Sequence, residues 1–68
     1  MEIFKKRLRQ ERLSCQLTQR EMAQKLHITQ PSYIRYENGS SEPTLEKLSL
    51  LADILDVSVD YLLGRTDF

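Results

Sequence analysis

Cysteine, histidine and paired carboxylates are where catalytic or metal chemistry would start, and this chain offers little of it. It has one cysteine, Cys15, and one histidine, His27, in 68 residues. That is too few for a structural zinc site, and a lone cysteine closes no internal disulfide. No Cys–His or Ser–His pair has an orienting acid at workable spacing. Nor is there a paired-carboxylate site or a glycine-rich phosphate loop. The residues therefore predict no enzyme, no metal, no cofactor and no small-molecule substrate. Cys15 is expected to be a partly buried thiol and His27 a turn residue.

The charges are more informative. Ten Lys/Arg balance ten Asp/Glu. Yet residues 1–39 carry eight cations against four anions, a net +4, and residues 40–68 carry two against six, a net −4. A chain split in this way can show a positive face to a polyanion while staying neutral overall, although the two halves can equally attract each other. Lys5, Lys6 and Arg7 read as a solvated face.

Such side chains need elements to position them. The length predicts a single domain over residues 1–68, with no room for a second. Apolar residues at 40% and charged residues at 29% suit a globular domain. No apolar run approaches the roughly 20 residues of a membrane span, and no apolar stretch follows the N-terminal charges as in a signal peptide. A chain of this size buries only about 60% of its unfolded surface, which favours a compact helical bundle or help from a dimer partner.

Helical spacing recurs along the chain, and strand alternation is almost absent. Phe4, Leu8, Arg12 and Cys15 share one side of a first helix that closes at Gln16–Leu17. Thr18 and Glu21 form a capping box for a second, with Met22, Ala23 and Leu26 as its apolar stripe. His27 reverses the chain, histidine being one of the few non-glycine types enriched at positive φ. Thr29 caps a third helix with Pro31 in its first turn, Tyr33 and Tyr36 on its core side, and Asn38-Gly39 at its end. After the loop Ser40–Pro43, Thr44 caps a fourth helix with Leu45, Leu48, Leu51, Ala52 and Leu55 at helical spacing. Asp56-Val57 turns the chain, Ser58 caps a very short fifth helix with Val59, Leu62 and Leu63, and Gly64 stops it. The fold class is thus all-α with five short helices. The second and third are joined by only a few residues, the arrangement of a helix-turn-helix, and the small Ala23 lets the next helix cross closely.

These residues carry a resemblance. Leu17-Thr18-Gln19, Glu21, Met22-Ala23, Leu26, Ile28-Thr29-Gln30, Tyr36-Glu37-Asn38-Gly39, Pro43, Leu45, Leu48, Leu51-Ala52, Leu55 and Val57-Ser58 stand at family spacing. The chain resembles the lambda-repressor-like, Cro/repressor (XRE) helix-turn-helix family from about Phe4 to Gly64. The resemblance implies an operator-binding regulator, most often a dimeric repressor, encoded by a bacterium or a phage and acting in the cytoplasm on the nucleoid. Family members often continue into a sensing or oligomerising domain. Three positions depart from the family pattern: His27 stands where Gly is usual, Ile34 where Ser is common, and Ser40-Ser41-Glu42 in a loop often rich in Lys or Arg.

On that resemblance the third helix enters the major groove. Gln30 can donate to and accept from adenine together, and Arg35 can take guanine or a phosphate. Pro31 and Ser32 lie near the groove edge, and Ile34 can touch a thymine methyl. Thr18 and Gln19 use the start of the second helix as a phosphate site, with Gln19 also bracing Gln30. Asn38, Ser40 and Ser41 hydrogen-bond a second phosphate, or simply form a turn. Arg9 and Arg20 add attraction. Arg12 and Glu37 are expected to form a structural ion pair between the first and third helices. Val59, Leu62 and Tyr61 resemble the family's dimer patch, the alternative being that all are core.

The partners implied are double-stranded operator DNA and a second copy of the chain. A competing reading is a protein-interaction module, an antitoxin or anti-repressor, that keeps the fold and docks its partner through the apolar C-terminal face. The Ser-Ser-Glu loop and the zero net charge support it.

Overall fold

The computed structural model describes residues 2–68; Met1 lies outside the described residues. Four of the five helices begin at a hydroxyl cap. Thr18, Thr29, Thr44 and Ser58 each accept, through the side-chain oxygen, from the amide three residues on. Each satisfies one of the donors that a helix start leaves without an intrahelical partner. The helices are α1 (Glu2–Ser14), α2 (Gln19–Leu26), α3 (Gln30–Asn38), α4 (Leu45–Leu55) and α5 (Val59–Leu62). There is no strand among the described residues, and the expected all-α class holds.

Three of the helices end in left-handed backbone, at His27 (φ 58°), Gly39 (φ 83°) and Asp56 (φ 56°). Gln16 takes the same conformation at φ 59°, which the sequence reading did not anticipate. It stops α1 at Ser14, two residues short of the expected end, with the amides of Gln16 and Leu17 donating to the Leu13 and Arg12 carbonyls. Cys15 keeps a helical hydrogen bond, its amide donating to the Glu11 carbonyl at 3.0 Å. It is exposed, not partly buried.

Leu8, Met22, Leu26, Tyr33, Leu51 and Leu62 form the fully buried centre. Ala23, 3% exposed, lies in the same core, and α2 packs closely on α3 there. Helix α1 packs on α3, and α5 docks against both α1 and α4. Leu45 departs from expectation: it leads α4 in helical phase but is 85% exposed. The radius of gyration is 10.6 Å, close to the ~11 Å of a compact chain of this length.

Arg7 was expected on a solvated face, and the structure places it in a clasp. Its Nη1 donates to the carbonyls of Tyr61 and Thr66 at 2.6 Å each, and its Nη2 to Asp67 Oδ1 at 3.3 Å. The guanidinium also lies 4.4 Å from the Tyr61 ring centroid, within cation–π range. The Tyr61 hydroxyl donates to Glu11 at 3.0 Å. One residue of α1 thus ties down α5 and the segment after it. Lys47 makes a smaller tie, its Nζ donating to the Leu26 carbonyl at 2.7 Å, where α2's dipole favours a cation.

Candidate nucleic-acid interface

The site is built outward from a buried cluster. Arg12 Nε donates to Glu37 Oε2 at 2.5 Å and Nη2 to Oε1 at 3.1 Å, a two-pronged pair between α1 and α3. The third nitrogen, Nη1, donates to the Leu17 carbonyl at 2.9 Å. Glu37 also accepts from the Tyr33 hydroxyl and, at 3.3 Å, from Gln19 Nε2. The Arg12 and Glu37 side chains are 9% and 5% exposed, so the pair is sheltered from water. Burial pushes the Glu37 carboxyl up, but the donated hydrogen bonds from Arg12, Tyr33 and Gln19 outweigh it and hold the group below the usual carboxylate range. The Glu37 hydrogen bond raises Arg12. Burial first, and Glu37 second, raise the Tyr33 phenol far above its ordinary value. Among the described residues no buried side-chain polar atom lacks a partner.

This cluster fixes the angle of α3 on α1 and α2. Tyr33 and Tyr36 face the core, as expected, with their rings edge to face at 6.2 Å. On the outer side, Gln30, Pro31 and Arg35 are exposed, and Ser32 and Ile34 are half-buried. The outer side chains are partly ordered by one another. The Thr29 hydroxyl donates to Ser32 Oγ at 2.9 Å, and Arg35 Nη2 donates to the same oxygen at 3.2 Å. Ser32 thereby orients the Arg35 guanidinium and keeps its own proton free to donate outward.

The start of α2 lies next to this edge. Thr18 and Glu21 make the full capping box, at 2.8 and 3.0 Å. The Thr18 hydrogen bonds lower the Glu21 carboxyl. Thr18 and Arg20 are exposed, and Gln19 is half-buried. Gln19 was expected to brace Gln30. Instead its amide is drawn to Glu37, the stronger, charged acceptor. Arg9, Gln19, Ile34 and Asn38 rim a shallow open groove over the Arg12–Glu37 pair.

The turn after α3 is more self-contained than expected. The Ser40 amide donates to Asn38 Oδ1 at 2.9 Å, and the Ser41 amide to the Arg35 carbonyl at 3.3 Å. Both loop amides are thus engaged within the protein, with Asn38 and Ser40 exposed and Ser41 half-buried.

At the other end of the molecule, Leu62 is 0% exposed. It belongs to the core of the domain and has no surface for a partner, so its expected place in a dimer patch is corrected. Val59 and Tyr61 remain half-exposed. The clasp role of Arg7 had no signal in the sequence, which placed the residue on a solvated face. Its partners, Tyr61 and Thr66, lie 54 and 59 residues away, a distance at which a lone arginine gives no local signal.

A helix-turn-helix family model matches residues 8–62, most of the chain. The chain belongs to the helix-turn-helix family. This helix-turn-helix chain is 48% identical over 65 residues to the uncharacterized HTH-type transcriptional regulator YobD of Bacillus subtilis, covering 96% of this chain and 58% of that protein. It is 49% identical over 61 residues to the regulator YqaE of the same organism, covering 90% and 53%. It is 43% identical over 62 residues to the cryptic phage CTXphi transcriptional repressor RstR of Vibrio cholerae, covering 91% and 55%. The chain therefore spans a little over half the length of these relatives. All three are named as transcriptional regulators or repressors, and none as an enzyme. No helix among the described residues is long and apolar enough to cross a membrane.

Proposed function

We propose that this helix-turn-helix domain is a sequence-specific DNA-binding regulator, most simply a repressor, that sets α3 in the major groove of a palindromic operator as a two-fold dimer. The observation that carries the reading is the exposed polar edge of α3, held at a fixed angle by the buried Arg12–Glu37–Tyr33 cluster. Gln30 reads adenine and Arg35 guanine, with Pro31, Ser32 and Ile34 against the groove. Thr18, Gln19 and Arg20 meet one phosphate at the start of α2, whose first amides have no intrahelical acceptor. Arg9, Asn38, Ser40 and Ser41 meet a second. The dimer face draws on Val59 and Tyr61, and the domain works in the cytoplasm of a bacterium, on chromosomal or phage DNA.

Selection from a randomised duplex library tests this directly. The expected result is an enriched inverted repeat with half-site centres about 10–10.5 bp apart. Gln30→Ala should then relax one position of the half-site at a cost of about 1–3 kcal/mol. An unenriched pool at low salt would overturn the reading.

The competing reading, a protein-docking antitoxin or anti-repressor, draws on a different surface. Leu45, 85% exposed, borders an apolar depression with Phe4, Pro43, Leu48 and Leu63. Salt separates the two. Neutralising phosphates releases counterions and makes affinity fall steeply with salt, whereas apolar docking does not.

A further inference from the structure

We propose that Lys5 and Lys6 of α1 form, beside Arg9, a cationic wall that binds the DNA backbone flanking α3. This rests on the DNA-binding reading above. The turn after α3 is poorly equipped to hold such a backbone segment. Ser40-Ser41-Glu42 contains no cation and one carboxylate. The Ser40 and Ser41 amides are already donated to Asn38 and Arg35.

Helix α1 supplies what the turn lacks. A Cβ built on Gly39 would meet Lys5 Cδ at 3.2 Å and Lys5 Nζ at 3.5 Å. The stem of Lys5 therefore lies across the backbone of Gly39, and its ammonium stands at the turn itself. The φ of 83° at Gly39 favours glycine, and the absence of a Cβ there leaves the Lys5 stem room to lie close. Lys5, Lys6 and Gln10 line a shallow groove that also includes Asn38. Arg9 borders both this groove and the one over the Arg12–Glu37 pair, so the two surfaces are continuous.

Among the described residues the one ion-pair partner of Lys5 is Glu2, at 3.0 Å, with the Lys5 side chain 31% and the Glu2 side chain 90% exposed. An i,i+3 pair whose carboxylate is solvated contributes little, so a phosphate can displace the carboxylate at small cost. Lys6 is exposed.

The test is duplex affinity measured against salt for the full chain, on a selected operator. Each phosphate neutralised contributes about 0.9 to the slope of log K against log salt. On a two-fold operator the double variant Lys5→Gln/Lys6→Gln removes four ammoniums and should flatten the slope by roughly 3.6. That makes the affinity loss between about 50 and 200 mM salt on the order of a hundredfold smaller. Base preference should stay unchanged. Lys5→Arg/Lys6→Arg should keep the wild-type slope, as should Arg65→Gln, which removes an exposed cation after α5. A double variant with the wild-type slope, or an Arg65 variant that flattens it equally, overturns the wall and leaves the DNA-binding reading standing. A wild-type chain that binds no duplex overturns both.

Discussion

Glu37 is the residue on which the most interactions converge. It accepts from Arg12, Tyr33 and Gln19 and thereby joins α1, α2 and α3. Removing Arg12 would strand a sheltered carboxylate, so Arg12→Ala should cost about 3–5 kcal/mol, read from urea unfolding. The same cluster sets an acid limit on stability. Glu37 titrates lower in the folded chain than in the unfolded one. Its contribution is thus complete above the unfolded value of about 4.3 and is lost as pH falls through the folded value. Thermal midpoints should drop in that acid range, and Glu37→Gln should make the drop shallower while lowering stability at neutral pH. A variant as acid-sensitive as the wild type would sink this assignment. Ser32 offers a finer test of the recognition edge. Its oxygen holds Arg35 at 3.2 Å. On the proposed DNA-binding reading, Ser32→Ala should therefore weaken discrimination at the base assigned to Arg35, measured by competition between matched and mismatched duplexes.

At the scale of the elements, caps and turns were legible because they are local. Thr18, Thr29, Thr44 and Ser58 each need only a neighbour three residues on, and all four cap as expected. The left-handed backbone at Gln16 was not legible, although the helix was expected to close there, because glutamine carries no strong left-handed preference. Cys15 should accordingly react quickly with a thiol reagent in the folded protein; a slow, unfolding-limited reaction would contradict its exposure. The attachment of α5 was not legible either. It depends on Arg7, whose three hydrogen bonds reach across the fold. Arg7→Ala should speed hydrogen exchange over residues 61–67 well before global unfolding, because the two carbonyls it serves lose their donor.

At the scale of the whole molecule, a chain this short has a small reserve. Stability of roughly 0.05–0.15 kcal/mol per residue amounts to only about 3–10 kcal/mol. Leu51 is fully buried at the centre of α4. Leu51→Ala should cost about 2–5 kcal/mol and leave a substantial unfolded population near physiological temperature, seen as a loss of helical circular dichroism. The charge split acquires a physical meaning only at this scale. Lys5, Lys6 and Arg9 all come from the basic half of the chain, and the fold sets them beside the end of α3.

The sequence by itself determined the helices, their starts, most of their stops and the family, because each depends on periodicity or on partners a few residues away. It also held the Arg12–Glu37 pair, through spacing shared with the family. Only the tertiary structure decided which apolar residues are truly inside. Leu45 and Leu62 stand on equally good helical stripes, yet one is 85% exposed and the other 0%. It likewise decided the partners of Gln19, Arg7 and Lys5. A helical phase says which way a side chain leaves its own axis. What it meets depends on how the other helices cross, and that geometry is fixed only when the core closes.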